Sequence, residues 1–274
     1  ACGGGMAALM FGVVEYLPYG WRALYAFGLV PLLLIAYWRR TLPETARYEE
    51  VRLRRASSPG LVVPLGSFVA LLRSYPVRFC ALLGAGFIVS MAISAAGFFT
   101  PKYLQDVHQW SPGNVALMTF FGGMFAILGN PMAGWLSDTV GRRPVAIGAS
   151  LLVPLLAIVF YTVGGWWLPL FWMLLLFVEF ALAVTFAAFG AEFFPTAHRS
   201  TAAGARTIAS TLGGVAGLAA ISGLFDVLGD NWSAIRALAA VCFLVPLIVY
   251  LFFPETARRE LDDIAPDMTA PPPK

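Results

Sequence analysis

Apolar residues along this chain gather in long blocks, and the charged residues fall almost entirely between them. Several blocks reach the ~20 residues that cross about 30 Å of hydrocarbon at 1.5 Å per residue. Eight candidate spans result: 1–17, 22–38, 78–100, 114–136, 145–163, 169–191, 202–225 and 234–253. Lipid cannot satisfy an irregular backbone, and the blocks alternate too poorly for barrel strands, so helices are expected. The pattern thus predicts an all-α membrane protein with about eight transmembrane helices. A charged connector, 39–77, follows the second span. Its apolar patch Leu61–Leu72 is expected to lie on the membrane surface as a short amphipathic helix. The polar tail ends in Pro271–Pro273 and Lys274 and is expected to be disordered.

Composition agrees. Charged residues make up 12% of the chain, about half the share usual in soluble domains, and 59% is hydrophobic. So many uncharged runs cannot hide in one soluble core. The net charge of +3 invites a nucleic-acid reading. That reading fails because the basic residues sit in short connectors, where membrane topology accounts for them. Fourteen of the 18 Lys and Arg, including Arg55, Arg142, Arg143, Arg199 and Arg258, fall in every second connector. Those connectors, and with them the C-terminus, are expected to be cytoplasmic. Trp110, Trp166, Trp167 and Trp232 then fall near the outer interface. Cys2, Cys80 and Cys242 are far apart, so neither a zinc site nor a disulfide framework is indicated. The chain opens at Ala1 with no basic n-region, which argues for a truncated or processed start.

Pro-Glu-Thr-Ala-Arg occurs twice, at Pro43–Arg47 and Pro254–Arg258, each time directly after a long apolar span. Parallel repeats of this kind occur in transporters, and the copies lie about 210 residues apart with six spans between them. A first half of equal size would have six spans. Only two precede Pro43, so four spans, or about 170 residues, are expected to be missing before Ala1.

Two loops carry further motifs. Gly134–Arg143 reads G-W-L-S-D-T-V-G-R-R. There Gly134 is expected to permit close packing and Gly141 a turn with positive φ. Asp138 is placed to pair with Arg142 or Arg143, or to face a helix N-terminus. An ordinary solvated turn is the plainer reading. In the second loop Pro195 stops a helix, Thr196 or Ser200 caps the next, and Glu192 and Arg199 are expected to form an opposite-charge pair. Surface pairs of this kind contribute about 0–1 kcal/mol each, which suits a latch that breaks and re-forms.

Together the G-x-L-S-D-x-x-G-R-R loop, the E-x-x-P-T-x-x-R loop and the P-E-T tails resemble the major facilitator superfamily, in its sugar and metabolite porter branch. The resemblance covers the chain as spans five to twelve of twelve. It implies two six-helix bundles around a central cavity, alternating access, and a cytoplasmic gating network. The network residues are Gly134, Asp138, Gly141, Arg142, Arg143, Glu192, Pro195, Arg199, Pro254 and Glu255. The domains would be 1–41, the end of an incomplete N-terminal bundle; 42–77, a cytoplasmic connector; 78–254, a six-helix bundle; and 255–274, a cytoplasmic tail. The polar seventh-span motif of hexose carriers is absent, since Ser90–Phe99 reads S-M-A-I-S-A-A-G-F-F. The chain looks more like the metabolite–proton symporters that carry organic and aromatic acids.

An ionisable residue inside a span costs at least ~2.5 kcal/mol on insertion scales, which makes it a functional suspect. Glu179 and Arg206 qualify, as proton carrier and anion anchor. Their plainer readings are a protonated, hydrogen-bonded carboxyl and a side chain snorkelling to the interface. Helix rise separates the two by about 10 Å in depth, so separate roles are expected. Asn130, Thr119, Thr185, Thr207, Ser210 and Thr211 are expected to line the same cavity. Gly213, Gly214 and Gly217 form a small-residue stripe that suits close helix packing.

The expected function is therefore secondary transport of a small organic solute, an organic or aromatic acid with proton symport. The alternatives are a sugar carrier, a drug or metabolite exporter, or a fragment that does not transport. The expected partners are the solute, protons and an inner-membrane bilayer, with no nucleic acid. No Walker loop, cofactor motif or metal-ligand spacing appears, and neither H-E-x-x-H nor G-x-S-x-G marks an enzyme.

Overall fold

The computed structural model describes residues 18–41, 64–195 and 198–258, together with Met10 and Ile264. The expected first span, the first Pro-Glu-Thr-Ala-Arg copy, Arg55 and Thr196 lie outside the described residues. Nine helices follow one another among those described: α1 (Trp21–Thr41), α2 (Pro64–Ser74), α3 (Pro76–Asp106), α4 (Pro112–Thr139), α5 (Arg142–Phe160), α6 (Trp167–Glu192), α7 (Arg199–Leu228), α8 (Asn231–Val241) and α9 (Leu244–Phe252). From α3 onward they form six segments long and apolar enough to cross a membrane, with α8 and α9 counting as one. The chain is a multi-pass helical membrane bundle.

The helix ends follow their sequence signals. Pro76 and Pro112 occupy first turns, where a missing N–H costs nothing. Ser111 caps α4 by accepting from the Asn114 N–H at 3.3 Å. Gly229, at φ 79°, ends α7 in the left-handed conformation. Asp230 then caps α8, accepting from the Ser233 N–H at 2.8 Å.

Two spans differ most from expectation. The third span runs to Asp106, because Pro101 is absorbed inside the helix. The last span is broken, with the N–H groups of Cys242 and Phe243 turning to the carbonyls of Ala239 and Ala240 at 3.0 and 3.1 Å. The surface patch forms α2 over its later part. Leu71 is fully buried, and Phe68 packs edge-on against Phe79.

Two seams hold the bundle, α3 on α7 and α4 on α6. In the first, a Cβ on Gly213 or Gly217 would collide with the carbonyl oxygens of Phe87 and Met91, so the helices touch backbone to backbone. In the second, a Cβ on Gly129 would sit 2.7 Å from the Phe177 carbonyl. Aromatic clusters close both ends of the core. Phe189, Phe193 and Phe253 pack at the end where α3, α5 and α7 begin, and Tyr103, Phe160, Tyr161 and Trp232 at the other. At that far end Trp110 and Trp232 pack against the core, while Trp166 and Trp167 are exposed.

Candidate functional site

The charged residues at the near end converge on the start of α5. Gly141 precedes that helix at φ 120°, a conformation natural to glycine. The bend points the free N–H groups of the first turn at Glu255, just beyond α9. One Glu255 oxygen accepts from Arg142 N at 2.9 Å and the other from Arg143 N at 3.1 Å. The N–H groups of Thr256 and Ala257, both at 2.9 Å, complete the cradle. A Cβ on Gly141 would stand 2.8 Å from the carboxylate, so the glycine also makes room. Burial works against ionisation of Glu255, but the four backbone donors outweigh it and hold the carboxyl below its ordinary value. The second Pro-Glu-Thr copy therefore caps a helix more than a hundred residues earlier.

Arg142 forms an ion pair with Glu192 and a looser one with Asp138 at 3.6 Å. Asp138 is 71% exposed, whereas Arg142 and Glu192 are 21% and 14% exposed, so the Glu192 pair is the sheltered one. The expected Glu192–Arg199 pair is corrected here. Arg199 donates instead to the carbonyl of Phe194 at 3.3 Å, and Glu192 is taken by Arg142. Arg143 donates to the Tyr250 carbonyl and lies 5.0 Å from its ring centroid. Pro195 is buried just past the end of α6, and Pro254 separates α9 from Glu255. Gly134 does not pack closely, since a Cβ there would meet nothing within 4 Å.

The middle of the bundle is different. Arg206 lies on α7 beside a groove of about 470 Å³ between α7 and α3. Ser90 and Ser94 of α3 line it, with Thr207, Ser210 and Thr211 of α7. The Arg206 stem passes Gly86, where a Cβ would sit 3.7 Å from its Cγ. Among the described residues the guanidinium has no ion-pair or hydrogen-bond partner.

Glu179 occupies a separate cavity of about 270 Å³ among α3, α5, α6 and α8. Its walls are mostly apolar, including Ile93, Val153, Leu175 and Trp172, and Cys242 lines it beside the α8–α9 break. Among the described residues the Glu179 carboxylate also has no partner. Helix α3 stands between the two cavities, with Ala92 and Ala96 toward Glu179 and Ser90 and Ser94 toward Arg206.

The single cavity expected for the polar residues is thus two. Asn130 is half-buried and lines neither. Thr119 and Thr185 bond their own helices, at 2.9 Å to Val115 and 2.8 Å to Leu182. Sequence reasoning missed Ser90 and Ser94 as groove residues; their i, i+4 spacing on α3 was the available signal. Among the described residues no three His, Cys, Asp or Glu stand together as metal ligands would.

The sequence profile of the Major Facilitator Superfamily matches residues 1–191 and, again, 115–269. The chain is 27% identical to Glycerophosphoinositol transporter 1 of Saccharomyces cerevisiae, over 95% of this chain and 52% of that protein. It is 26% identical to the Cis,cis-muconate transport protein of Acinetobacter baylyi, over 84% of this chain and 57% of that one. It is 28% identical to the Citrate-proton symporter of Salmonella typhi, over 49% of this chain and 29% of that one. The chain spans about half the length of the first two of these relatives.

Proposed function

The chain belongs to the Major Facilitator Superfamily, and from that premise we propose that it forms the C-terminal part of a secondary transporter for a small organic acid driven by proton symport. One observation carries the acid reading: Arg206 is unpaired at span depth, in a hydroxyl-lined groove that opens on the α3–α7 face of the bundle. A guanidinium is costly there unless something neutralises it, and a carboxylate does so with two parallel hydrogen bonds. The named muconate and citrate carriers among the relatives support the same class.

In this reading residues 78–254 are the C-terminal six-helix bundle and 1–41 the end of the N-terminal one. The near end is cytoplasmic and the membrane is the inner one. Glu179 is the proton carrier. Arg142, Glu192, Asp138 and Glu255 form a gate made in one conformation and broken in the other, so that access alternates. Cysteines beside Arg142 or Arg199 should resist impermeant thiol reagents added from outside.

The test is binding of a matched acid and amide to the full-length protein, to Arg206→Lys and to Arg206→Ala. Lys cannot reproduce the planar fork, so it should weaken the acid, and Ala should weaken it by about 100-fold or more. The amide should suffer less. Equal losses for acid and amide would sink the reading.

A further inference from the structure

We propose that the cavity at Glu179 is an effector site, separate from the solute groove, that takes an arylalkylammonium ion and blocks the carrier. Its walls come from α3, α5, α6 and the α8–α9 break, and α3 stands between it and Arg206. At about 270 Å³ it has the volume of roughly nine waters, or of an organic molecule of about a dozen non-hydrogen atoms. Water suits it poorly. A buried water needs two to four polar partners, and away from Glu179 the lining is carbon at Ile93, Val153, Leu175 and Ala239. Cys242 adds no free donor, because its thiol is turned to the Ile88 carbonyl at 3.3 Å.

Two residues of α6 set the chemistry of the occupant. Trp172 and Glu179 both line the cavity and stand seven residues apart, two turns on one helix face and about 10 Å along the axis. Trp172 is fixed in place. Its Cδ1–Nε1 edge is seated in the notch at Gly122, where a Cβ would come within 2.8 Å, and its ring centroid lies 5.4 Å from that of Phe160. It is a rigid aromatic wall against which a second ring can pack.

The other end calls for a cation. Glu179 is a carboxyl with no partner among the described residues. Helix α8 ends at Cys242, which shares the cavity, and a helix C-terminus carries partial negative charge. No Lys, Arg or His lines the space. An ammonium joined to an aryl ring by a short alkyl chain satisfies both ends and fills the apolar middle. It takes the place of the proton on the carboxyl. Binding follows from the cavity alone, whereas the block of transport rests on the reading of Glu179 as proton carrier.

Gly97 of α3 lines the cavity and is exposed, which marks its mouth. A Cβ there would meet nothing within 4 Å, so a larger side chain can enter the mouth without displacing a neighbour.

The experiment uses the full-length carrier and two probes of one shape, phenylbutylammonium and phenylbutanol. Calorimetry should show the ammonium bound about tenfold tighter, the gain of a charge-assisted over a neutral hydrogen bond. Glu179→Gln should bring the two to one affinity, and its retained alcohol binding shows that it folds. Gly97→Leu should weaken both probes with no loss of thermal stability. In acid uptake the ammonium should lower the maximal rate and leave KM for the acid unchanged. Equal affinity for ammonium and alcohol in the wild type would overturn the proposal, as would a Gly97→Leu variant that binds both as before. A rise in KM alone would put the amine in the solute groove and overturn it too. Tight, Glu179-dependent binding with undiminished uptake would leave the site standing, overturn its effect on transport and remove Glu179 as proton carrier.

Discussion

The near end of the bundle and its middle treat charge in opposite ways. At the end, Arg142 meets Glu192 and Asp138, and Glu255 meets four backbone N–H groups. In the middle, Arg206 and Glu179 each line a cavity with no partner among the described residues. The difference separates two uses of charge. Paired groups hold helices in one arrangement, whereas in the proposed reading the unpaired ones are completed by a solute or a proton that comes and goes.

The most direct way to break this contrast is to give Arg206 a permanent partner. Ser210→Asp places a carboxylate one turn away on the same helix face. Acid uptake by the full-length carrier should fall by about 100-fold, because the anchor is already occupied, and Ser210→Asn, of the same size but uncharged, should lose far less. Unchanged uptake would mean that Arg206 does not meet the substrate.

Next comes the converse, unpairing a paired group. Arg142→Ala leaves Glu192 sheltered without its cation. The pair is partly exposed, so a loss of about 1–3 kcal/mol is expected, below that of a fully buried pair. Melting in detergent measures it, and Arg142→Met with Glu192→Met should recover most of the loss.

Glu255→Gln should cost less, about 0.5–1 kcal/mol, because an uncharged acceptor still caps α5. Its pH dependence has a definite sign. The folded carboxyl is held below its ordinary value, so its contribution is complete above the unfolded pKa of about 4.3 and fades as pH falls through the lower folded one. The melting difference between wild type and Glu255→Gln should therefore be constant near neutrality and shrink in acid. A difference that grows in acid would reverse the assignment.

The smallest stability effect is expected from Asp138→Asn. With 71% exposure and a 3.6 Å contact, the pair should contribute under about 0.5 kcal/mol. If Asp138 belongs to the gate, turnover should still fall while substrate binding stays near normal. Normal turnover would reduce the loop charge to a topology signal.

What the sequence made legible was local. Span positions follow from apolar blocks, the positive φ of Gly141 from its place in a tight turn, and the Gly213–Gly217 stripe from helical spacing. What it hid was long-range. Nothing local in the chain says that Glu192 reaches Arg142 rather than Arg199, or that Glu255 caps α5, because both depend on how α5, α6 and α9 pack together. Spacing likewise placed Asn130 and Thr185 among cavity candidates, since it shows that a residue is polar within a span but not which face is covered. The split of one expected cavity into two has the same origin: α3 walls off Glu179 from Arg206, and a periodicity read one helix at a time carries no wall.

The glycine seam of α3 and α7 has a consequence for how specificity can diverge. Within three turns of α7, residues 213 and 217 fix the backbone by direct contact, while residues 207, 210 and 211 only decorate the groove it forms. Scaffold and chemistry are thus interleaved on one helix yet mechanically independent. Thr207 and Thr211 are exposed, so a threonine exchanged for valine there alters the chemistry of the wall without asking the helices to repack. If the groove meets the solute as proposed, a lineage of such proteins can change its wall one hydroxyl at a time, on a frame that two glycines keep still.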